Sequence, residues 1–395
     1  MIFVNLAKRL PASMIDSAEH FMQRALQLAA QARYTAAPNP MVGCVLVKHQ
    51  QIIGEGWHQR PGGHHAEVFA LQQAGAAAIG ATAYVTLEPC SHFGRTPPCA
   101  NALIDAGISK VVVAMQDPNP LVAGSGIERL RAAGIVVEVG LLAAQAQQLN
   151  RGFISRMSRN RPFVQVKLAA SLDGATALSN GASKWITAAA ARADVHHQRA
   201  ASQAILSTAQ TVLRDDAQLT VRFANSEQAA AQPLRVILDR RAQLRPDQAL
   251  FRCEGGPILL VYAEQTQPPA TTWPAHVRWL NVAESAAGLD VNAVLSHLAV
   301  NEQINSVWTE CGATLAGQLI TQQLADELMV YLAPKLLGSQ AQPLLALPTL
   351  TALSEATPLR FTDVQTLGED IRITATVCYS DLSESATVGN RSVTS

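Results

Sequence analysis

The sequence predicts an α/β protein of two domains, and three observations support this prediction. Apolar residues recur with helical and with strand periodicity in alternation along both halves, which is typical of helices packed on a sheet. The chain has 395 residues, more than one hydrophobic core commonly holds. A polar stretch rich in glutamine and arginine, from about residue 141 to residue 162, separates the two halves. We therefore place the domain boundary there.

The first half is predicted to consist of an extension, residues 1–15, and a domain over residues 16–150. Its first helix runs from about Asp16, which forms a capping-box pattern with Glu19, to Ala32. The next elements, in order, are a hairpin of Met41–Val47 and Ile52–Trp57, a helix from Ala66 to Gly75, a strand over Thr82–Leu87, a helix over Pro97–Ala106 capped by Thr96, a strand over Lys110–Met115, a helix over Ile127–Ala133 and a strand over Ile135–Val139. This alternation predicts three layers and a mixed sheet.

The second domain is predicted over residues 162–380, after a glutamine-rich helix that begins near Leu141. Its predicted strands are Phe163–Ala169, Leu234–Leu238, Pro257–Val261, Ser306–Glu310 and Glu327–Ala333, and its predicted helices are Ala188–Ala200, Val291–Leu298 and Leu315–Gln323. Residues 224–233 and 264–275 read as surface loops. The serine-rich end, residues 381–395, is predicted to be a disordered tail.

The composition excludes several classes of protein. The chain is 48% hydrophobic and 15% charged, with a formal net charge of zero, so no overall charge favours nucleic acid or an anionic membrane as a partner. No apolar run is long enough to span a bilayer, and the apolar stretch at the start is too short for a signal peptide. The six cysteines are scattered, as in a reducing compartment. We therefore expect a cytoplasmic protein.

The motif H-A-E, followed by P-C-S-H-F-G-R-T-P-P-C, predicts a catalytic zinc site. His65, Cys90 and Cys99 supply one nitrogen and two sulfur ligands for Zn²⁺, which leaves a fourth position for water. Zinc would lower the pKa of that water toward about 7, and Glu67 would move the proton to a departing amine. Zinc deaminases carry H-x-E and P-C-x-x-C, whereas here eight residues separate the two cysteines.

The spacing of His65 and Glu67 places both residues in the opening turn of a helix. Two residues on a regular helix differ by about 200° of rotation, so the two side chains would otherwise diverge. Two other interpretations remain at this point. The cysteines could be ordinary buried thiols, or His64 or His92 could complete a closed structural zinc site.

The second half has no G-x-G-x-x-G after a strand, so a Rossmann dinucleotide site is not supported. The segment Gly312 to Gly317 lies between a predicted strand and a predicted helix, where backbone N–H groups can bind phosphate; it could equally be a simple loop. Arg199 and Arg222 suit a phosphate because a guanidinium makes paired hydrogen bonds, although both could be solvated surface charges.

The stretches P-N-P-M-V-G-C-V, G-E-G-W-H-Q-R, H-A-E, T-L-E-P-C-S-H-F-G-R-T-P-P-C and D-P-N-P-L-V-A-G resemble the bifunctional deaminase–reductase family of riboflavin biosynthesis. The resemblance implies a cytidine-deaminase-like domain followed by a dihydrofolate-reductase-like domain. It also implies deamination of 2,5-diamino-6-(ribosylamino)pyrimidin-4-one 5′-phosphate, and then reduction of the product's ribosyl group to ribityl by NADPH. Family members are often dimers through the reductase half, so a homodimer is expected.

The resemblance also implies roles for individual residues. His65, Cys90 and Cys99 would bind zinc, Glu67 would be the proton shuttle, and Asn39, otherwise a turn former, would lie near the pyrimidine. The residues expected to contact NADPH are Ala169, Trp185, Thr211, Asp215, Gly312, Ala313, Thr314, Leu315, Ala316 and Gly317. The residues expected to hold the ribose phosphate are Lys167, Ser183, Arg199, Leu219, Arg222 and Glu310.

Three positions depart from the family pattern. His64, Ala175 and Cys311 stand where the family often has proline, arginine, and glycine or alanine, respectively. The ligands and Glu67 are intact, so we expect the chemistry to be retained. Two other functions remain open: a zinc deaminase of nucleosides or tRNA with a divergent second domain, and a non-catalytic zinc-binding protein. An intact Glu67 argues against the last of these.

Overall fold

The computed structural model describes residues 18–91, 98–120, 122–223 and 231–379, and it folds them chiefly around two β-sheets of five and nine strands. The predicted cap residues Asp16 and Thr96, the extension 1–15 and the tail 381–395 lie outside the described residues. No helix in the described part of the chain is long and apolar enough to cross a membrane.

The N-terminal domain contains a mixed five-stranded sheet, as predicted. Its elements are α1 (Ala18–Ala30), β1 (Gly43–Lys48), β2 (Gln51–Trp57), α2 (Ala66–Ala74), β3 (Thr82–Val85), α3 (Cys99–Asp105), β4 (Lys110–Val113), α4 (Ser125–Ala132) and β5 (Val136–Val139). The strand order is β2-β1-β3-β4-β5. The hairpin partners β1 and β2 are antiparallel, as are β1 and β3, whereas β3, β4 and β5 are parallel.

Helices cover both faces of this sheet and give the predicted three layers. On one face, alanines of α2 and α3 pack against β1, β3 and β4. On the other face, α1 buries Phe21, Met22 and Leu28. Glycines let α1 and α2 approach the hairpin closely: a Cβ on Gly43 would lie 2.0 Å from the carbonyl oxygen of Ala25, which no side chain permits. The small residues of the hairpin therefore fix the distance between helix and sheet.

Two helices, α5 (Ala143–Leu149) and α6 (Arg151–Arg159), connect the domains. The glutamine-rich helix expected near Leu141 is α5, whereas α6, which begins after the chain turns at Asn150, was not predicted. The side chain of Asn150 is buried, and it both accepts from the backbone N–H of Met41 and donates to its carbonyl. Because its side chain bonds the backbone of Met41, Asn150 favours a break between α5 and α6.

The C-terminal domain has a nine-stranded sheet. Its elements are β6 (Phe163–Ser171), β7 (Ala175–Ala177), α7 (Ala189–Ala200), β8 (Ala204–Thr208), α8 (Ala209–Asp215), β9 (Leu234–Leu238), α9 (Ala249–Arg252), β10 (Ile258–Ala263), β11 (Val277–Val282), β12 (Glu284–Ser285), β13 (Gly288–Leu289), α10 (Val291–Val300), β14 (Ser306–Glu310), α11 (Ala313–Thr321), β15 (Glu327–Ala333), β16 (Gln342–Pro343), β17 (Leu359–Leu367) and β18 (Asp370–Val377). The strand order is β11-β10-β9-β8-β14-β6-β15-β18-β17.

In this sheet order, the seven strands from β11 to β15 are parallel to one another. Strand β18 pairs antiparallel with β15, and β17 pairs antiparallel with β18. Helices α10 and α11 pack on one face of the sheet, and α7, α8 and α9 pack on the other. Every residue of β10 is buried, because a parallel strand inside such a sheet is covered on both sides. The carboxyl ends of β6, β8 and β14 consequently open onto one edge, where ligands of open α/β sheets bind.

Several predicted boundaries need correction. Helix α3 begins at Cys99 after Pro98 as N-cap, rather than at Pro97. Helix α11 begins at Ala313, two residues before the predicted start at Leu315, so most of the segment from Gly312 to Gly317 is helical rather than a loop. Gly317 serves close packing there, because a Cβ at this position would lie 2.1 Å from the carbonyl oxygen of Ala346. The sequence patterns did not indicate β7, β8, β11 to β13 and β16 to β18, nor the helices α6, α8 and α9.

Candidate functional sites

Three side chains meet where α2 and α3 begin. His65 is the N-cap of α2 and Cys99 is the first residue of α3, while Cys90 lies in the segment between β3 and α3. Nδ1 of His65 lies 3.2 Å from Sγ of Cys99 and 3.6 Å from Sγ of Cys90. The three ligand atoms lie within 4.8 Å of one another. The structure therefore brings together the residues that the sequence analysis assigned to zinc.

This donor set fits Zn²⁺. Zinc bonds to nitrogen and sulfur at tetrahedral angles separate the two ligand atoms by about 3.6 Å, close to the distances observed. The cluster found among the described residues has three members, as an open site requires. His64 is exposed and its ring lies edge-on to Phe69, so it does not join the cluster. His92 lies outside the described residues.

The side chains of Cys90 and Cys99 shift each other's pKa in opposite directions. A hydrogen bond from Cys99 lowers the pKa of Cys90 to about 4, although burial opposes this, and His65 and the backbone N–H of Cys99 lower it further. The same hydrogen bond and burial raise the pKa of Cys99. The hydrogen bond to Cys90 also raises the pKa of His65. The cluster thus concentrates negative charge on sulfur, which favours a bound cation.

Glu67 lies beside this cluster and is not one of its ligands. Because His65 is extended and helical geometry begins at Ala66, Glu67 falls in the first turn of α2, as predicted. Its side chain is 3% exposed, and burial raises the pKa of its carboxyl group although His65 opposes the shift. The carboxyl group also hydrogen-bonds Cys99. A buried carboxyl group with a raised pKa can both accept and release a proton near neutral pH.

Asn39 reaches the same site through His58, a residue that the sequence analysis did not single out. Nδ2 of Asn39 donates to Nε2 of His58 at 3.0 Å, and Nδ1 of His58 donates to the carbonyl of His64 at 3.1 Å. The ring of His58 is 5.5 Å from that of His65. Burial lowers the pKa of His58, so the ring is neutral and can accept from Asn39. His58 lies directly after β2, within the stretch G-E-G-W-H-Q-R that contributes to the family resemblance.

Glu88 was also missed, and it organises the segment behind the cysteines. Its buried carboxylate accepts the backbone N–H groups of Asp117, Gly124, Gly126 and Ile127 at 2.8–3.2 Å. Such hydrogen bonds to a charged acceptor are strong. Asp117 and Gly124, the two ends of the stretch D-P-N-P-L-V-A-G, are therefore held against the segment that leads to the first cysteine.

A cavity of about 1200 Å³ opens at the carboxyl ends of β6, β8 and β14. Among the residues that the resemblance assigned to cofactor or substrate, the following line it: Lys167, Ala169, Ser183, Trp185, Arg199, Thr211, Asp215, Leu219, Arg222, Glu310, Gly312, Ala313, Thr314 and Leu315. Ala316 and Gly317 are buried in α11 and do not line it. Of the three departures, Cys311 lines the cavity, whereas His64 and Ala175 do not.

An ion pair fixes the floor of this cavity. Nε and Nη2 of Arg199 donate to the two carboxylate oxygens of Glu310 at 2.5 and 2.9 Å, and Trp308 donates to the same carboxylate. Burial alone would raise the pKa of Glu310, but Arg199 and Lys167 together lower it to about 2. Burial lowers the pKa of Lys167, and Glu310 partly offsets this. Glu310 is therefore ionised, and it holds the guanidinium of Arg199 in place.

Positive charge predominates around the rest of the cavity. Its ionisable side chains apart from histidine, cysteine and tyrosine are the cations Lys167, Lys184, Arg192, Arg199, Arg214, Arg222 and Arg240 and the carboxylates Asp215, Asp216 and Glu310. Arg199 is matched by Glu310, whereas the side-chain partners of the exposed Arg222 guanidinium among the described residues are the neutral groups of Gln218 and Thr220. Arg222 can therefore turn to an anionic ligand at little cost. The cavity suits phosphorylated compounds.

Comparison with known proteins finds a matching family for each half of the chain. Residues 15–115 match the family profile of the cytidine and deoxycytidylate deaminase zinc-binding region. Residues 162–373 match that of the RibD C-terminal domain. The riboflavin biosynthesis protein RibD of Escherichia coli K12 is 49% identical over 89% of this chain and 97% of its own. The riboflavin biosynthesis protein RibD of Haemophilus influenzae is 48% identical over 90% of this chain and 96% of its own.

Solved structures give the same result. A structure of RibD from Acinetobacter baumannii superposes with a TM-score of 0.83 at 42% identity, covering 93% of this chain and 99% of that one. A diaminohydroxyphosphoribosylaminopyrimidine deaminase/5-amino-6-(5-phosphoribosylamino)uracil reductase from Thermotoga maritima superposes with a TM-score of 0.80 at 34% identity, covering 91% and 98%. Because these relatives span both domains in the same order, the chain belongs to the RibD family of riboflavin biosynthesis proteins.

Proposed function

We propose that the chain catalyses two consecutive reactions, with the residues named above in defined roles. As a RibD protein, it is a bifunctional deaminase and reductase that uses Zn²⁺ and NADPH. The deaminase half removes the 2-amino group of 2,5-diamino-6-(ribosylamino)pyrimidin-4-one 5′-phosphate. The reductase half then converts the ribosyl group of 5-amino-6-(5-phosphoribosylamino)uracil to ribityl. A nucleoside or tRNA deaminase with a divergent second half is not favoured, because residues 162–373 match the RibD reductase domain.

In the deaminase half, His65, Cys90 and Cys99 would hold zinc. The bound ion would supply an activated water at neutral pH. Glu67 is buried beside that position, and its raised pKa suits it to take a proton and return it to the departing amine. Asn39, oriented by its hydrogen bond to neutral His58, offers its amide oxygen to the pyrimidine.

In the reductase half, the cavity residues bind and orient the two reactants. NADPH supplies the hydride. Arg222 meets the substrate phosphate, Glu310 holds Arg199 beside the ribose, and Lys167 lies in the same cleft. Gly312, Ala313, Thr314 and Leu315 present the start of α11, where free N–H groups favour a cofactor phosphate. The rest of the cofactor cleft is lined by Ala169, Trp185, Thr211 and Asp215. The substrate end is lined by Ser183 and Leu219. Ala316 and Gly317 support the cleft from inside the helix.

The proposed division into domains, 16–150 and 162–380, is supported by the two separate sheets. We also propose action in the cytoplasm, which the six unpaired cysteines support.

A homodimer through the reductase half is supported by β17, an edge strand whose Phe361 is 66% and whose Val364 is 59% exposed. In size-exclusion chromatography, Phe361→Asp should shift a dimer to a monomer; a monomeric parent protein would contradict the dimer.

The observation that carries the proposal is the presence of both constellations, in order, on one chain. The test is to incubate the purified protein with the diaminopyrimidine phosphate, with and without NADPH. Ammonia should appear in both samples, and the ribityl product should appear only when NADPH is present. Ammonia without any ribityl product at saturating NADPH would contradict the reductase assignment, and absence of ammonia would contradict the deaminase assignment.

A further inference from the structure

The turn that carries Asn39 is held mainly by residues from outside the N-terminal domain. The backbone carbonyl of Pro38 accepts Nδ2 of Asn305 at 2.8 Å and Nη2 of Arg156 at 3.3 Å. Arg156 lies on the connecting helix α6, and Asn305 immediately precedes β14 of the C-terminal domain. A carbonyl in the deaminase site therefore depends on two donors from other parts of the chain.

These two donors form a preorganised unit. Nε of Arg156 donates to Oδ1 of Asn305 at 2.5 Å, which fixes the orientation of the amide so that its Nδ2 faces Pro38. The backbone of Asn305 is fixed as well: its N–H donates to Gln203 at 2.6 Å and its carbonyl accepts the N–H of Phe163 at 2.8 Å. The side chain of Asn305 is nearly fully buried. Its amide group is thus a rigid extension of the nine-stranded sheet.

The flanks of the same turn are anchored too. Arg33 donates to Gln198 at 3.0 Å, and the hydroxyl of Tyr34 hydrogen-bonds Nδ1 of His197 at 3.4 Å, both on α7. On the other side, Asn150 bonds both backbone groups of Met41. The segment from residue 33 to residue 41 is therefore clamped between α7, the connecting helices and Asn305. Asn39 lies one residue from the central clamp and points its side chain at His58.

We propose that Asn305 and Arg156 are positioning residues for deamination, acting across the domain boundary through the Pro38 carbonyl on Asn39. This inference rests on the proposed role of Asn39 in binding the pyrimidine. Neither residue lines the reductase cavity. Loss of either donor leaves a carbonyl without its full set of partners and frees the turn. Because a lost hydrogen bond of this kind changes an equilibrium by about tenfold, the KM for the pyrimidine should rise by about that factor.

The test compares Asn305→Asp and Arg156→Ala with Arg159→Ala in the full-length zinc-loaded enzyme. The aspartate side chain keeps the acceptor for Arg156 but loses the donor to Pro38. Arg159 lies three residues from Arg156 on the same helix, and its partners in the described part of the chain are Asp326 and Ser155, so it is the matched control. The first two variants should raise the deaminase KM about tenfold with a smaller change in kcat, while the reductase KM values and the control stay within about twofold.

A second measurement does not depend on catalysis. Hydrogen–deuterium exchange of the peptide covering residues 34–43 should become about tenfold faster in Asn305→Asp and in Arg156→Ala, and not in the control. Unchanged exchange, or faster exchange with an unchanged KM, would overturn the positioning role. If exchange responds as expected but the parent enzyme releases no ammonia from the pyrimidine, the clamp stands and the proposed substrate fails. A parallel loss of both activities would indicate a merely structural role and would also overturn it.

Discussion

Replacing Glu310 by glutamine should destabilise the C-terminal domain specifically, because it removes the charge that Arg199 requires. Both side chains are largely buried, at 13% and 11% exposure. Removing one partner of a buried pair costs about 3–5 kcal/mol. The pKa of Glu310, lowered to about 2 from its usual 4.5, gives a similar value of about 3 kcal/mol at 1.36 kcal/mol per unit. The two independent routes therefore agree.

The measurement is differential scanning calorimetry of the full-length protein, in which the two domains can unfold separately. For a domain of this size, about 3 kcal/mol lowers the transition temperature by about 6–12 °C. The transition of the N-terminal domain should not move. The matched control is Glu284→Gln, which breaks the exposed pair of Arg240 and Glu284, with exposures of 43% and 41%. That change should cost less than about 1 kcal/mol.

The effect should also depend on pH with a defined sign. Because the folded pKa of Glu310 is lowered, its contribution is present above the unfolded pKa near 4.5 and is lost as the pH falls toward 2. The difference between the parent protein and the variant should therefore shrink between about pH 5 and about pH 2. An unchanged transition at neutral pH, or a difference that stays constant down to the acid end of this range, would refute the assignment of a charged, structurally required Glu310.

Three other substitutions test the site assignments. Glu67→Gln should keep zinc and lose deamination by about 10²–10⁴-fold, as measured by ammonia release, while reductase turnover persists; normal ammonia release would contradict the proton-transfer role. Cys99→Ser should lose the metal in elemental analysis, because it removes one of three protein ligands; a full zinc complement would mean that a ligand is misassigned. Arg222→Ala should raise the KM for the ribose phosphate by about tenfold or more and the KM for NADPH much less. A larger rise in the KM for NADPH would mean that the substrate end and the cofactor end of the cavity are assigned the wrong way round.

The N-terminal domain was the more predictable half because its signals are local. Helices α1 and α2 and the hairpin were found from local patterns, and the opening turn of α2 followed from the spacing of His65 and Glu67 alone. The convergence of Cys90 and Cys99 with His65 needed only motif order. In the second half, periodicity indicated five of the strands and three of the helices. The residues around its cavity were assigned from the family resemblance.

The missed elements have weak or disturbed patterns. Strand β8 is a short apolar run directly after a helix, which periodicity cannot distinguish from more helix. In β17 a register shift between Phe361 and Asp363 interrupts the alternation, and the strand is mostly exposed. Contacts such as that of Asn305 with Pro38 join residues 267 positions apart. No local pattern encodes such a pair, and only the assembled fold reveals it.

The connecting helix α6 has a consequence for anyone who wishes to separate the two enzymes. Arg151 pairs with Glu327, and Arg159 and Arg161 pair with Asp326, so the helix and the residues just after it are attached to the sheet that follows them. Asn150, one residue earlier, bonds Met41 in the other half. A split gene designed on this pattern would divide the coding sequence between Asn150 and Arg151. Each product then retains these ion pairs or the Asn150 hydrogen bonds, whereas the hydrogen bond from Arg156 to Pro38 has to form between the two products.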